Sequence, residues 1–361
     1  HLDSERTWRG GERQVLELMR RQREMGDEAH LAAPTGSEIA TRAAAEGIPI
    51  HPVAMRGTWD LGSAVRVANL HRSIRPHVVH WHAARAHAIG AMAALLAPGP
   101  ARVLSRRVDF PVRRSPGSRL LYALPIDAIL AISEGVRHAL VASGVADAAI
   151  RVVPSGIDLA PHAVPRDRGA IRAREGVRED EILVLQVAAL APHKSQHDLL
   201  RAARVALHEE PRLVFWIAGE GALRGELERM HEALALGDRV RFLGFREDIL
   251  DLLAAADLFC VSSYLEGMGT ATLDPMAAGL AVVATRVGGI PEIVEEGVTG
   301  VLVEPRDPEA LAGAILTLAG DPVRRERMGA EARIKVRDFS ADRTAERTRR
   351  AYEEALARLT Q

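Results

Sequence analysis

The sequence predicts an α/β protein of two doubly wound domains, each built on a parallel sheet, that face each other across a cleft. Short apolar runs alternate with helical patterns along almost the whole chain, which is typical of βαβ units. The 361 residues, 47% of them hydrophobic, exceed what one core usually organises. Residues 160–180 are rich in proline, glycine and charge, and predict a linker between the two domains.

The individual elements follow from the periodicity. Apolar runs predict strands at 29–33, 78–81, 102–104, 128–132, 150–153, 182–187, 213–218, 240–243, 258–261 and 281–284. Amphipathic patterns predict helices at 11–25, 61–75, 136–143, 196–209, 225–236, 249–255, 308–318 and 341–359. We therefore assign residues 1–165 and 166–340 to the two domains.

Composition excludes several classes of function. A net charge of −1 gives no general attraction to nucleic acid or to an anionic membrane, so we expect no nucleic-acid partner. A single cysteine, Cys260, fits a reducing compartment, and no apolar run approaches the length of a membrane span. We expect a soluble, cytoplasmic protein. The chain starts at His1 inside an apparent strand pattern, so we also expect a shortened first strand before Gly10 and Gly11.

The segment LEGMGTATLDPMAAG, residues 265–279, places two carboxylates eight residues apart. We expect Glu266 in the loop after the strand at 257–261, and Asp274 in the helix that follows. Gly267 and Gly269 leave backbone N–H groups uncovered at the start of that helix, where a phosphate is favoured. This layout suits a sugar nucleotide. Pro275, inside the predicted helix, indicates that the helix starts late or bends.

Lysine is rare in this chain. Only two of the 47 basic residues are lysines, Lys194 and Lys335. An ammonium is a compact charge on a flexible stem and suits a diphosphate approached from one side. A solvated lysine at the start of a helix is the alternative for Lys194.

Two further features concern the first domain. His80 and His82 flank Trp81 at a strand end, and alternation directs both histidines to one face. The segment 101–119 contains one acid, Asp109, and a cluster of arginines, which indicates either a surface for an anionic acceptor or membrane, or a solvated basic loop. These arginines are Arg102, Arg106, Arg107, Arg113, Arg114 and Arg119.

An ordered set of motifs spans most of the chain: GGERQVLEL at 10–18, VVHWHA at 78–83, SEGVRHAL at 133–140, VPSGID at 153–158, VAALAPHKSQHDLL at 187–200, IAGEGALRGELE at 217–228, the 265–279 segment, and VGGIPEIVEEGVTGVLVEP at 287–305. With them the chain resembles the family 4 retaining glycosyltransferases of the GT-B fold (glycosyl transferases group 1). The resemblance implies that the second domain holds a nucleoside diphosphate sugar and that the final helix, 341–361, joins the first domain. It also implies a role in bacterial lipopolysaccharide or polysaccharide synthesis.

The same resemblance implies roles for individual residues. His82, Lys194 and Glu266 are the implied catalytic residues, with Lys194 on the diphosphate, Glu266 on sugar hydroxyls and His82 near the acceptor. Asp274 is implied to bind the ribose. The residues implied to contact the sugar nucleotide are Gly10, Gly11, Lys194, Glu220, Gly221, Phe245, Glu266, Gly267, Met268, Gly269, Thr270 and Asp274.

The chain departs from the family pattern at three positions. Ala189 stands where relatives often have an arginine, Asp274 where they usually have glutamate, and Arg107 where many have histidine. Either Lys194 therefore carries more of the phosphate charge or another cation substitutes for the missing arginine.

Two other functions remain open from sequence, a nucleotide-sugar epimerase and a non-catalytic sugar-nucleotide sensor. The spacing GEGALRG differs from the dinucleotide fingerprint, which disfavours an oxidoreductase. No cluster of His, Cys and Asp has the spacing of a metal site. We therefore expect an enzyme without metal or cofactor, whose partners are a nucleotide sugar and a glycan or lipid-linked acceptor, with peripheral membrane contact through Arg102–Arg119.

Overall fold

A computed structural model describes residues 1–108, 112 and 116–359, without the side chains of Pro116 and Arg119. The chain divides into two compact units, His1–Asp158 with Ser340–Gln361, and Leu159–Phe339. The division falls earlier than residue 165, because the residues just after Asp158 pack on a helix of the second unit.

The first unit is built on parallel strands. Its elements are α1 (Gly10–Glu24), β1 (Leu31–Ala33), α2 (Glu38–Ala45), β2 (Ile50–Pro52), α3 (Leu61–Ile74), β3 (Val78–Trp81), α4 (Ala84–Leu96), β4 (Ala101–Arg106), α5 (Pro116–Ala123), β5 (Ala128–Ala131), α6 (Glu134–Ala142) and β6 (Ile150–Val152). β1 pairs with β2, and β3 to β6 form a sheet in sequence order. Leu2 bridges Ala32 and Trp81, so the first residues lie between β1 and β3 as a short strand segment.

The second unit contains a six-stranded parallel sheet. Its elements are α7 (Arg168–Glu175), β7 (Ile182–Val187), α8 (Gln196–Glu209), β8 (Leu213–Ala218), α9 (Arg224–Ala233), β9 (Val240–Gly244), α10 (Ile249–Ala255), β10 (Leu258–Val261), α11 (Leu273–Ala278), β11 (Ala281–Thr285), α12 (Ile290–Ile293), β12 (Gly300–Val303), α13 (Pro308–Ala319) and α14 (Pro322–Lys335). The strand order is β12-β11-β10-β7-β8-β9. The order reverses between β7 and β10, which is where ligands bind in sheets of this type.

The predicted α/β class with parallel sheets is confirmed. Four strands match their predicted bounds, and the long final helix is α15 (Ala341–Leu359), which packs on α1, β4 and β5 of the first unit. β2 and β12, of three and four residues, were not predicted. Among the described residues, no helix combines the length and apolarity needed to cross a bilayer.

The predicted linker at 160–180 is wrong in its centre, where α7 forms. Asp167 caps this helix by accepting from the Ala170 N–H, and Gly176 ends it in the left-handed conformation. Arg172 is 5% exposed and donates to the carbonyl oxygens of Ala255, Arg178 and Glu181. Arg172, one of the charged residues that indicated a linker, therefore anchors α7 to the rest of the second unit.

The helix predicted from residue 11 begins one residue earlier, at Gly10. Both glycines are the first residues of α1, and the Glu12 carboxylate supports the start of the helix by accepting from the Arg9 N–H at 2.8 Å. A side chain added at either glycine would meet nothing within 4 Å, so packing does not require glycine. The prediction for Pro275 is confirmed, since α11 starts only at Leu273 and the proline stands in its first turn, where no intrahelical N–H bond is lost.

Candidate active site

Lys194 and Glu266 meet at the carboxyl ends of two adjacent strands. Lys194 ends a short 3-10 helix after β7, Glu266 lies in the loop after β10, and these strands pair directly. The Lys194 Nζ donates to Glu266 Oε1 at 2.5 Å, and Ser263 Oγ donates to the same oxygen at 2.7 Å. The fold thus joins a cation and an anion that are 72 positions apart. Both side chains remain partly exposed, at 17% and 11%, so a ligand can reach them.

The loop from Glu266 to Thr270 is held by close backbone contacts. Gly288 has φ +53°, and a Cβ there would lie 1.6 Å from the Glu266 carbonyl oxygen. The Gly289 N–H donates to the Gly267 carbonyl at 3.2 Å. This turn therefore determines where Glu266 sits.

The four residues after Glu266 differ in what they offer a ligand. The Met268 side chain is 2% exposed and packs inward, so only its backbone is a candidate contact. Gly269 has φ +80° and caps the 3-10 turn Thr270–Thr272, which leads into α11. The Thr272 N–H donates to the Gly269 carbonyl and is used within the turn.

Asp274 lies on α11 and pairs with a histidine that sequence reasoning missed. The His162 Nε2 donates to Asp274 Oδ1 at 3.0 Å, and the two side chains are 6% and 17% exposed. His162 comes from the turn Ala160–Ala163, inside the stretch predicted as linker, which is why it drew no attention.

Glu220, Gly221 and Phe245 follow β8 and β9, beside the Lys194 loop. The Leu190 N–H donates to the Glu220 carbonyl at 2.9 Å, and a Cβ at Gly221 would lie 2.2 Å from the Leu190 carbonyl oxygen. Phe245 is 68% exposed, which is unusual for an aromatic ring. These residues thus lie beyond the carboxyl ends of the parallel strands, as Lys194 does.

A second cation, Arg306, lies close to this edge. Its guanidinium stacks on the Tyr264 ring at 4.6 Å, two residues before Glu266. Arg306, Tyr264, Pro192 and Ser195 help to line an open cavity of about 570 Å³. Arg306 is therefore a candidate for the charge that Ala189 does not supply.

In the first unit, His82 belongs to a buried hydrogen-bond chain whose direction is fixed. Arg107 Nη2 lies 3.3 Å from His82 Nδ1, and since arginine only donates, Nδ1 accepts. His82 Nε2 then carries the proton and donates to His1 Nδ1 at 2.8 Å, and His1 Nε2 donates to Gln22 Oε1 at 2.7 Å. Both nitrogens of His82 are thus engaged.

The chain continues to His80, on the same face of β3 as His82, as alternation predicts. Gln22 donates to the Tyr352 oxygen, the Tyr352 hydroxyl donates to His80 Nδ1 at 2.6 Å, and His80 Nε2 donates to Ser105 Oγ at 2.7 Å. Burial holds the pKa of His80 and His82 well below the usual value, so both are neutral at pH 7.

The ligand atoms of His1, His80 and His82 lie within 4.8 Å of one another, a proximity that sequence spacing did not reveal. A metal-bound His82 Nε2 would require a proton on Nδ1, but Nδ1 faces the Arg107 donor. The geometry therefore fits a hydrogen-bond chain better than a metal site.

Arg107 carries its charge among buried acids. Burial lowers the pKa of Arg107, with Asp3 and Glu12 acting in the opposite direction. Burial raises the pKa of Asp3 to about 6. Within the described part of the chain, Arg107 Nε is buried without a hydrogen-bond partner, so this donor is unsatisfied in the free protein.

The other arginines of the 101–119 segment differ in availability. Arg102 forms two 2.8 Å bonds to the Asp127 carboxylate and is neutralised by it. Arg113, Arg114 and Asp109 lie outside the described residues, as does the Arg119 side chain. Membrane contact through this segment stays a prediction.

Two family models match the chain in succession. Residues 8–161 match "Glycosyltransferase Family 4" and residues 167–335 match "Glycosyl transferases group 1". The chain belongs to the GT-B glycosyltransferases of family 4. The two matches correspond closely to the two compact units.

Several relatives of this family 4 chain carry the name D-inositol 3-phosphate glycosyltransferase. The protein from Kribbella flavida is 36% identical over 241 residues, which cover 63% of this chain and 57% of the relative. The protein from Geodermatophilus obscurus is 38% identical over 212 residues, covering 56% and 46%. The chain thus spans about half the length of the curated relatives that it matches.

Solved structures share the fold. HepE from Anabaena, crystallised with UDP, superimposes with a TM-score of 0.86 and 23% identity, covering 97% of both chains. This similarity establishes for our family 4 chain an architecture of two Rossmann-like domains.

Proposed function

We propose that this protein is a retaining glycosyltransferase that moves a sugar from a nucleoside diphosphate sugar to a glycan or lipid-linked acceptor. The observation that carries the proposal is the Lys194–Glu266 pair. It lies at the carboxyl ends of the adjacent strands β7 and β10, where the strand order reverses. Membership of family 4 supports this assignment, as does the UDP in the complex of HepE.

The donor binds along the carboxyl edge of the second sheet. Lys194 contacts the diphosphate, Glu266 holds sugar hydroxyls and Asp274 holds the ribose. Phe245, Glu220 and Gly221 lie beside the base, while Gly267, Met268, Gly269 and Thr270 offer backbone groups to the phosphates. In the free protein Glu266 keeps Lys194 in place, and a diphosphate competes with that carboxylate for the ammonium.

Catalysis follows from the leaving group. Breaking the anomeric bond develops negative charge on the diphosphate, so an ammonium held there stabilises the transition state more than the ground state. We propose that the acceptor attacks from the face that the diphosphate leaves, so no side chain acts as a covalent nucleophile and no metal is needed. A cytoplasmic location stays a prediction.

The acceptor side centres on Arg107 and His82. His82 has both nitrogens engaged and holds Arg107, whose Nε remains as a donor at the carboxyl end of β4. A phosphate or carboxylate on the acceptor is the natural partner of this group. The name of the relatives makes inositol 3-phosphate the first such acceptor to test.

The test is a donor panel with and without acceptors. Labelled UDP-, GDP- and ADP-sugars are incubated with the protein alone, with bacterial lipid extract and with inositol 3-phosphate. Transfer that needs acceptor, survives a chelator and yields retained anomeric configuration by NMR supports every part of the proposal. An isomerised donor without acceptor would indicate an epimerase, and binding without turnover a sensor. Absence of nucleoside diphosphate binding would refute the proposal.

A further inference from the structure

The turn Ala160–Ala163 turns only its histidine inward. Ala160, Pro161 and Ala163 are exposed, whereas the His162 side chain is 6% exposed and donates to Asp274. The backbone of the turn is also held by hydrogen bonds that do not involve His162, because Arg166 Nη1 donates to the carbonyl oxygens of Pro161 and Val164. Holding the turn therefore does not require His162, and its burial needs another explanation.

Asp274 is shorter than the glutamate usual at this position by one carbon–carbon bond, about 1.5 Å. A shorter side chain has fewer torsions with which to search for a ligand, so its direction depends more on its surroundings. The imidazole fixes that direction by binding Oδ1 at 3.0 Å. Pro275, buried directly after it, fixes the backbone of the same turn.

We propose that His162 is a positioning residue that orients Asp274 toward the ribose of the donor, so that the pair His162–Asp274 does what a longer acid would do alone. This inference rests on the proposed donor site. It predicts that the loss on removing His162 depends on a ribose hydroxyl, which a purely structural role would not produce.

The experiment measures the affinity of the nucleoside diphosphate that binds best among UDP, GDP and ADP, together with its 2′-deoxy and 3′-deoxy analogues. In His162→Ala we expect affinity for the ribonucleotide to fall about tenfold, the scale of a hydrogen bond to a charged group. We expect little change for the analogue that lacks the hydroxyl bound by Asp274. His162→Gln, which keeps a donor N–H, should retain most of the affinity.

Two controls complete the design. His162→Ala with Asp274→Glu should recover affinity, because the longer acid reaches without help. His30→Ala removes another histidine–carboxylate pair, His30 with Glu28 at 2.8 Å in the other unit, and should change nothing. An equal loss for all three nucleotides, or no loss, would overturn the role of His162. Failure of the wild type to bind any nucleoside diphosphate would instead refute the proposed function itself.

Discussion

The two units arrange their polar residues in opposite ways. In the second unit, Lys194 pairs with Glu266, and Asp274 pairs with His162. Lys194, Glu266 and Asp274 all remain partly exposed. In the first unit the chain from Arg107 through His82 to His80 is buried, and its hydrogen bonds run in one fixed direction. Paired charges at an exposed edge can exchange partners with a ligand, whereas a buried directional chain mainly fixes its members in place.

This contrast between the two units should appear most strongly in the pH dependence of their stability. Burial lowers the pKa of His87, in the first unit, from 6.5 to about 4. As pH falls from about 6.5 to 4, the unfolded state takes up a proton that the folded state refuses, so the stability present above pH 6.5 is lost. His87 alone accounts for up to about 3 kcal/mol, and His80 and His82 act in the same direction.

Asp3 works against this loss. Burial raises its pKa from 3.8 to about 6, so the folded state takes up a proton first and gains stability as pH falls from about 6 to 4. We therefore expect Asp3→Asn to destabilise faster with acid than the wild type. Hydrogen exchange at pH 7.5 and 4.5 should show the loss of protection in peptides of the first unit. An equal loss in both units would contradict the contrast.

Lys194→Ala should weaken donor binding by about 2 to 3 kcal/mol, because it removes a charged donor from the diphosphate. Lys335→Ala is the matched control. Lys335 is the only other lysine of the sequence, ends α14 and pairs with Glu295 at 4.0 Å. Calorimetric titration with nucleoside diphosphate measures both. Unchanged affinity in Lys194→Ala would remove that residue from the site, and Arg306→Ala would then identify the alternative cation.

Gly288→Ala should cost about 1 to 2 kcal/mol and also weaken donor binding. The new Cβ would meet the Glu266 carbonyl and displace the loop that carries the acid. Gly297→Ala has the same kind of positive φ, +76°, with nothing within 4 Å of its Cβ. Gly297→Ala should therefore lower the urea midpoint of unfolding and leave donor binding unchanged. Equal binding by the two variants would show that the Gly288 turn does not position Glu266.

Tyr352→Phe should lower the free energy of unfolding by about 1 kcal/mol, because His80 and Gln22 each lose a buried partner. Donor affinity should stay at the wild-type value, since the tyrosine belongs to the first unit. Urea unfolding and calorimetry on the same sample check both statements. A loss of donor affinity with unchanged stability would reverse the assignment of roles.

Prediction from sequence succeeded where a pattern is local. The strands 182–187, 213–218 and 258–261 are continuous apolar runs, and they form the centre of the second sheet. Prediction failed at α7, where the Asp167 side chain caps a helix inside a stretch whose composition indicates a linker. It also missed β2 and β12, which exist mainly through pairing with neighbours.

For the candidate site, the sequence by itself determined the chemistry on offer: a rare lysine, two acids eight residues apart, and histidines of one strand face. Only the tertiary structure decided which groups touch. Lys194 meets Glu266 because β7 and β10 pair although β8 and β9 intervene in the chain, and His162 meets Asp274 across 112 positions. Strand order and loop packing depend on the burial of the whole core, so no local pattern contains these contacts.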